Sequence, residues 1–201
     1  MELMHHITKE VKSINHMLHQ YTSQIIEEKV ESQITPLGVS REVAALLPTI
    51  HTQRIELFDV PLFTAVEANN QKYWRGISAW AEESSAEEHV PQAINWRHKA
   101  INRAILLFAR DLARDNRKLC QYMLSLSKHA TDAVADMTIL ETINIAQELP
   151  CLLFTLREGG NTDFWNRVAT CQPEDKKATT ILNNHLRMRV MTQLQPVSVV
   201  A

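Results

Sequence analysis

The chain has 201 residues, of which 45% are hydrophobic and 22% charged, and its net charge is −2. These values exclude disorder of the whole chain and a strongly basic nucleic-acid coat protein, although a local basic face is compatible with them. No apolar run reaches the roughly 18 residues of a membrane helix, and the N-terminus lacks a signal-peptide pattern, so we expect a cytoplasmic protein. Only four glycines are present, which favours a helical fold.

The first predicted element is a long amphipathic helix that begins near Met4. Its apolar residues recur at alternating steps of three and four, namely Ile7, Val11, Ile14, Leu18, Tyr21 and Ile25. A stripe this narrow is typical of a helix that packs lengthwise against another long helix. We expect the helix to end near Pro36, because proline disfavours the helical conformation in the residue before it.

Two short helices and an extended arm are predicted next. Ser40 is the candidate N-cap of the first short helix and Thr52 that of the second. The alternating apolar character of residues 62–66 then favours an extended arm. Two short helices joined by a tight turn are compatible with a helix-turn-helix motif and with any other helical hairpin.

An acidic stretch of small residues at 81–91 is the candidate linker to a second unit. Beyond it we expect a long helix over about 92–122, a helix capped by Ser127, and a helix over 138–149. Residues 151–157 predict a second extended arm. A closing helix is expected within residues 173–195.

The second unit repeats the first at an offset of 87 residues, which drifts to 91 at its end. The matching positions of the two long helices are Ile14, Leu18, Tyr21 and Ile25 in the first and Ile101, Ile105, Phe108 and Leu112 in the second. At the later offset, Tyr73-Trp74 lies over Phe164-Trp165. The sequence therefore predicts an all-α fold of two tandem units, residues 1–80 and 92–201, that pack as a pseudo-dimer through those eight side chains.

Both copies carry a diffuse pattern of apolar, amide and small residues. In the second copy it comprises Ile101-Asn102, Leu106-Leu107-Phe108-Ala109, Asp115, Leu124, Ala133, Met137-Thr138, Ala146, Leu152 and Leu156-Arg157. In the first it comprises Ile14-Asn15, Leu37-Gly38-Val39, Glu42-Val43-Ala44, Leu47, Ile50, Thr52-Gln53, Leu57 and Leu62. With these residues the unit resembles FlhD, a subunit of the bacterial flagellar master regulator, and the AcaD-like and SetD-like subunits of conjugation activators. FlhD is a single unit, and the first copy lacks an arginine equivalent to Arg157.

The resemblance implies a non-catalytic subunit of a hetero-oligomeric transcriptional activator, in which a covalently linked pair replaces the FlhD homodimer. The implied partners are an FlhC-like zinc-binding, DNA-binding subunit and, as part of the complex, promoter DNA. RNA polymerase is a further candidate partner. No cofactor or metal of the chain's own is implied. The alternative is an adaptor or anti-activator that sequesters an FlhC-like protein without DNA contact.

Basic residues on the second long helix form the candidate DNA-binding face. They are Lys99, Arg103, Arg110, Arg114, Arg117 and Lys118. The steps between the arginines place them on one helical face, where they can neutralise phosphates. The alternative is a solvated face on which Asp111 and Asp115 are intrahelical partners.

Patterns that indicate an enzyme or a metal site are missing from the sequence. The chain has no P-loop, GxGxxG, HExxH or GxSxG pattern. His16 and His19 have a spacing that metal sites use, but no local carboxylate or cysteine completes a ligand set, so we expect surface imidazoles. Scattered Cys120, Cys151 and Cys171 predict buried free thiols. A small helical enzyme whose site assembles only in space is the remaining alternative.

Overall fold

The computed structural model describes residues 2–29, 37–65, 92–149 and 154–193. The predicted linker at 81–91, and parts of both predicted arms, lie outside these ranges. Within them the chain is mostly helical with one two-stranded sheet, which confirms the predicted fold class at that level. Among the described helices, none combines the length and the apolar character that crossing a bilayer requires.

The first unit contains one long helix, two short helices and a strand. In chain order these are α1 (Glu2–Glu27), α2 (Arg41–Leu46), a 3-10 turn (Leu47–Thr49), α3 (Thr52–Ile55) and β1 (Phe63–Ala65). The apolar stripe of α1 is buried, as its spacing predicts. The helix ends earlier than the predicted end near Pro36, and Lys29 adopts a left-handed φ of 56°.

The N-caps of the two short helices agree with the prediction at Ser40 and differ from it at Thr52. The Ser40 hydroxyl accepts a hydrogen bond from the Val43 N–H at 3.3 Å. His51, and not Thr52, caps α3, since its Nδ1 atom accepts a hydrogen bond from the Gln53 N–H at 3.4 Å. The predicted cap was therefore wrong by one residue.

The second unit contains α4 (Gln92–Asp115), α5 (Arg117–Leu124), α6 (Lys128–Asp136), α7 (Ile139–Glu148), β2 (Phe154–Leu156), α8 (Thr162–Thr170) and α9 (Lys176–Gln193). The predicted single helix over 92–122 is wrong. Asn116 leaves the helical conformation, and its side chain accepts a hydrogen bond from the Leu119 N–H at 3.0 Å, which starts α5 as a separate helix. Helix α5 then packs against α4, where the Cys120 thiol donates to the Ala109 carbonyl oxygen at 3.4 Å.

Side-chain caps also fix the starts of the later helices. Ser127 caps α6, as predicted, and Thr138 forms a capping box with Glu141 at the start of α7. Helix α8 was not predicted. Its N-cap is Asn161, and its Trp165 is buried. Trp74 lies outside the described residues.

Thr64 and Thr155 make reciprocal contacts between the two parts of the chain that the sequence repeat relates. Strands β1 and β2 pair antiparallel with these residues opposite each other. The Thr64 hydroxyl donates to the Leu124 carbonyl oxygen at 3.4 Å, and the Thr155 hydroxyl donates to the Leu37 carbonyl oxygen. Leu37 and Leu124 are equivalent at the offset of 87, so the contact occurs twice, once in each direction.

The offset of 87 residues also relates two turns of the chain. Gly38 and Ser125, also 87 residues apart, both have left-handed φ angles, of 64° and 55°. The buried apolar side chains of both units join one core, which includes Phe63 and Phe154 of the two strands, with ring centroids 5.7 Å apart. Cys120 and Cys171 are free and buried, as predicted, and burial raises the pKa of the Cys120 thiol to about 12.

Candidate functional site: paired helices and basic side chains

The two long helices α1 and α4 contact each other, and their predicted seam residues are buried. These are Ile14, Leu18, Tyr21, Ile25, Ile101, Ile105, Phe108 and Leu112. Tyr21 meets His98 edge to face at 6.4 Å between ring centroids. At the other end a groove of about 300 Å³ lies between Ile7 of α1 and Leu112 of α4. The helices therefore run antiparallel, with the C-terminal half of each beside the N-terminal half of the other.

A buried asparagine ties α1 to the segment that leads into β1. Asn15 is 1% exposed, donates to the Val60 carbonyl oxygen at 3.0 Å and accepts from the Leu62 N–H at 2.9 Å. Its equivalent in the second unit, Asn102, is also fully buried. An amide carries both a donor and an acceptor, so one side chain satisfies two backbone groups of an extended segment.

Three of the six predicted DNA-binding residues have side chains that reach solvent. Arg103 and Lys118 are exposed, and Lys99 is half-buried. They lie on α4 and α5, on either side of the helix break at Asn116. The predicted single basic face is therefore interrupted.

Arg110 and Arg114 are directed at the end of α6. Arg110 is 6% exposed, and its Nε donates to the Met137 carbonyl oxygen at 2.8 Å. Arg114 donates to the carbonyl oxygens of Ala135 at 2.7 Å and Met137 at 3.1 Å. Cations at the carbonyl end of a helix satisfy acceptors that lack intrahelical donors. Part of each guanidinium is therefore used inside the chain, and phosphate contact by these two arginines stays a prediction.

Arg117 is also paired within the chain. Its guanidinium lies 3.0 Å from the Asp132 carboxylate and 4.0 Å from that of Asp136, both on α6. Asp111, a predicted intrahelical partner of the arginines, contacts Arg110 of the same helix at 2.5 Å. These ion pairs connect α5 to α6 at the protein surface. Exposed ion pairs of this kind contribute little to the free energy of unfolding.

Arg157 is the most deeply buried cation of the described residues, and its structural role was not predicted. Its guanidinium donates to the carbonyl oxygens of Pro61 at 3.0 Å, Phe63 at 3.1 Å and Met123 at 2.7 Å. Burial lowers the pKa of Arg157 to about 10, so the side chain stays charged at neutral pH. One side chain thus joins β2 to the arm of the first unit and to the C-terminal end of α5.

Glu158, the next residue, anchors the closing helix. Its carboxylate lies 2.8 Å from Arg189 and 3.4 Å from His185 of α9, and accepts from Asn161 at 2.6 Å. Burial acts to raise the pKa of Glu158, but the hydrogen bonds and the Arg189 charge bring it below its ordinary value. The Trp165 indole N–H donates to the Glu158 carbonyl oxygen at 2.9 Å, so the turn, α8 and α9 share one anchor.

The two histidines of α1 have separate partners. His16 pairs with Glu56 of the first unit at 3.0 Å, and the His19 ring Nε2 lies 3.1 Å from the Leu47 carbonyl oxygen. Burial lowers the pKa of His19, which favours the neutral ring as the donor in that contact. The expectation that both are surface imidazoles is wrong for His19, which is buried. Within the described ranges, no three His, Cys, Asp or Glu side chains are grouped as metal ligands.

The described site thus offers a paired helical core, a set of backbone carbonyls held by arginines, and a few exposed cations. Sequence periodicity identifies the buried seam, whereas the roles of Arg110, Arg114 and Arg157 depend on carbonyl groups that are distant in the chain. Comparisons with protein-family models, with curated proteins and with solved structures found no match. A functional assignment therefore depends on the residues and contacts of the chain itself.

Proposed function

We propose that this chain is a non-catalytic, cytoplasmic subunit of a hetero-oligomeric transcriptional activator. Two linked FlhD-like units take the place of a homodimer, and an FlhC-like zinc-binding subunit supplies most of the reading of promoter DNA. RNA polymerase is a further candidate partner of the assembled complex. The chain's own contribution is to orient its partner subunits on the DNA.

The proposal is supported by one observation: pairs of residues 87 apart, which belong to the pattern that resembles FlhD, have matching burial or matching hydrogen bonds. Asn15 and Asn102 are buried at the same position of the two long helices. The carbonyl oxygens of Leu37 and Leu124 accept the reciprocal threonine hydrogen bonds. A pattern that recurs in sequence and in structural role supports an origin from one pairing unit.

Covalent linkage gives a physical reason for such an arrangement. Two units joined in one chain pair at an effective concentration of roughly millimolar, so the pair forms at any protein concentration in the cell. Linkage also frees the halves to diverge, because a substitution in one is not copied into the other. Arg157, which has no arginine at the equivalent position of the first unit, is one such difference.

Direct DNA contact by this chain is proposed for the exposed Arg103 and Lys118 and for the half-buried Lys99. Lys99, Arg103 and Lys118 can contribute to a phosphate-binding surface of the complex. Arg110 and Arg114 support the surface from within by fixing the end of α6. The net charge of −2 implies that phosphate attraction is local.

A sequestering adaptor is the second candidate function, and the intrachain use of three arginines favours it. If Arg110, Arg114 and Arg117 serve the fold, the chain keeps few side chains for DNA and can act through protein contacts alone. Such an adaptor would bind an FlhC-like subunit and prevent, rather than promote, its contact with promoters.

The two functions are separated by co-expressing the chain with a candidate zinc subunit and titrating a promoter fragment in gel shifts at about 50 and 200 mM salt. An activator subunit increases the affinity of the zinc subunit for the fragment. An adaptor decreases it. If Arg103 and Lys118 contact phosphates, Arg103→Ser with Lys118→Ser weakens binding at the lower salt and makes its salt dependence shallower, whereas Lys176→Ser with Lys177→Ser on exposed α9 does not. No effect of the chain on binding by its zinc partner would contradict both functions.

A further inference from the structure

Equivalent outer faces of the two units differ sharply in chemistry. At the offset of 87, four polar residues of the first unit are replaced by four large apolar residues of the second. The polar set is Gln20, Thr52, Gln53 and Glu56, and the apolar set is Leu107, Ile139, Leu140 and Ile143. The offset is the one that relates the Ser40 and Ser127 caps and the left-handed turns before them. The two faces therefore occupy the same place in their units.

Helix α7 packs on α4 with Thr142 and Ala146 buried. The apolar set lies beside these buried residues and is only partly covered. Ile139 is 53% exposed and Leu140 is 72% exposed, while Leu107 and Ile143 are half-buried. Adjacent large apolar side chains on a surface mark an interaction site more often than isolated ones do.

Loss of an ion pair accompanies this change. In the first unit, His16 of α1 pairs with Glu56 at 3.0 Å. The equivalent residues of the second unit are Arg103 and Ile143, so the acidic member has become apolar. In the first unit Gln20 and Thr52 line the same pocket. Their equivalents Leu107 and Ile139 lie on α4 and α7, which also contact each other, and we take the four side chains as one face on that basis.

The border of the patch is acidic on balance, with Arg103 of α4, the equivalent of His16, also exposed there. Residues 136–148 carry Asp136, Glu141 and Glu148 and no basic residue, and all three carboxylates are exposed. Asp111 lies on the adjoining α4, also exposed, with Arg110 as its buried partner. An apolar centre with an acidic border is complementary to a helix whose apolar stripe is flanked by Lys and Arg.

We infer that the face formed by Leu107, Ile139, Leu140 and Ile143 docks an amphipathic helix of a partner polypeptide, with apolar residues at successive helical turns and basic residues beside them. The inference rests on the proposed function for the identity of that partner, the zinc subunit, but the face is identified from this chain alone. The polar face of the first unit does not bind such a helix. Because the two units differ at these positions, each chain has one such docking site, on the second unit.

The test uses the full chain and a fluorescein-labelled, 18-residue synthetic helix of leucine and lysine, with leucines spaced three and four apart. Binding is followed by fluorescence anisotropy for the wild type, for Ile139→Ser with Leu140→Ser, and for the matched control Thr52→Ser with Gln53→Ser. We expect about tenfold weaker binding for the α7 variant only. Glu141→Gln, which retains a capping side chain, weakens binding and reduces its dependence on salt. Circular dichroism shows that each variant keeps its helices.

Equal affinities of the two double variants, or no binding of the peptide to the wild type, would overturn the inference. A parallel measurement keeps the proposed function separate: co-purification of the zinc subunit with wild type and variants. In one outcome the zinc subunit assembles equally with the wild type and the α7 variant, and the peptide binds both with the same affinity. The inferred docking face is then wrong and the proposed function stands. If the peptide distinguishes the variants but no zinc subunit assembles, the face stands and the proposed function fails.

Discussion

Thr64 and Thr155 stand opposite each other at the centre of the antiparallel pair of β1 and β2. Each donates its hydroxyl hydrogen to a carbonyl oxygen in the other unit, at Leu124 and at Leu37. Each arm is therefore fastened to the turn that precedes a helix of the opposite unit. Because each hydrogen bond joins a strand of one unit to a turn of the other, the pairing of the units depends on the conformation of both turns.

Gly38, in one of these turns, has no room for a side chain. Its φ of +64° disfavours any other residue, and a Cβ atom would lie 2.6 Å from the Thr155 hydroxyl oxygen. We expect Gly38→Ala to lower the free energy of unfolding by roughly 1–3 kcal/mol in urea denaturation. Gly160→Ala is the control, since a Cβ there meets nothing within 4 Å. A loss of stability at Gly160 equal to that at Gly38 would refute this interpretation.

Replacement of Arg157 by methionine should destabilise the chain strongly. Methionine fills similar space but leaves the carbonyl oxygens of Pro61, Phe63 and Met123 without their donor, at about 1–3 kcal/mol for each buried unsatisfied group. We expect a total loss of at least about 3 kcal/mol in the free energy of unfolding. Arg41→Met, at an exposed position of α2, should change stability by less than about 0.5 kcal/mol. Similar losses for both would mean that the carbonyl contacts of Arg157 contribute nothing specific.

Arg110 and Arg103 lie on the same helix, and we predict different roles for them. Arg110→Met removes one of two donors to the Met137 carbonyl oxygen, the other being Arg114, and should lower the free energy of unfolding by about 0.5–1.5 kcal/mol. Arg103→Met, at an exposed position, should leave stability nearly unchanged and affect only binding to nucleic acid. Thermal unfolding and gel shifts of both variants separate the roles. A stable Arg110→Met protein would show that its carbonyl contact is dispensable.

Stability should fall in mild acid through His19. Burial lowers its pKa below the ordinary 6.5, so the unfolded chain takes up this proton first as the pH decreases. The contribution of the neutral ring is complete above pH 6.5 and is lost as the pH falls from there through the folded-state pKa, at up to about 1.4 kcal/mol per pH unit. His19→Gln, which retains a donor for Leu47, should have a shallower pH dependence in urea titrations. Parallel curves for the two proteins would exclude His19 as the source.

The sequence predicted correctly those parts of the fold that depend on interactions between residues close together in the chain. The apolar stripe of α1 and the N-caps Ser40 and Ser127 depend on neighbours within a few residues, and they were predicted correctly. The break at Asn116 was missed, because apolar periodicity continues across it while the amide cap redirects the chain. Helix α8 was missed because its N-cap Asn161 follows a glycine pair that reads as a turn.

The contacts of the candidate site were harder to predict, because they join residues that are distant in the chain. Spacing along a helix shows that Arg110 and Arg114 share a face, but not that the carbonyl end of α6 lies against that face. Backbone acceptors have no sequence signature. The apolar face of α7 differs from its counterpart only in comparison with the first unit, which has polar residues 87 positions earlier in the chain.

Co-purification tests the central claim most directly. The tagged full chain is co-expressed with an untagged zinc-binding protein that has a four-cysteine pattern and is encoded beside it, and the purified material is analysed for both polypeptides and for zinc. We predict a stable complex that contains both chains and zinc bound by the partner, and that shifts promoter DNA. Recovery of the chain alone, with the zinc protein and its DNA-binding activity in the unbound fraction, would contradict the assignment as an activator subunit.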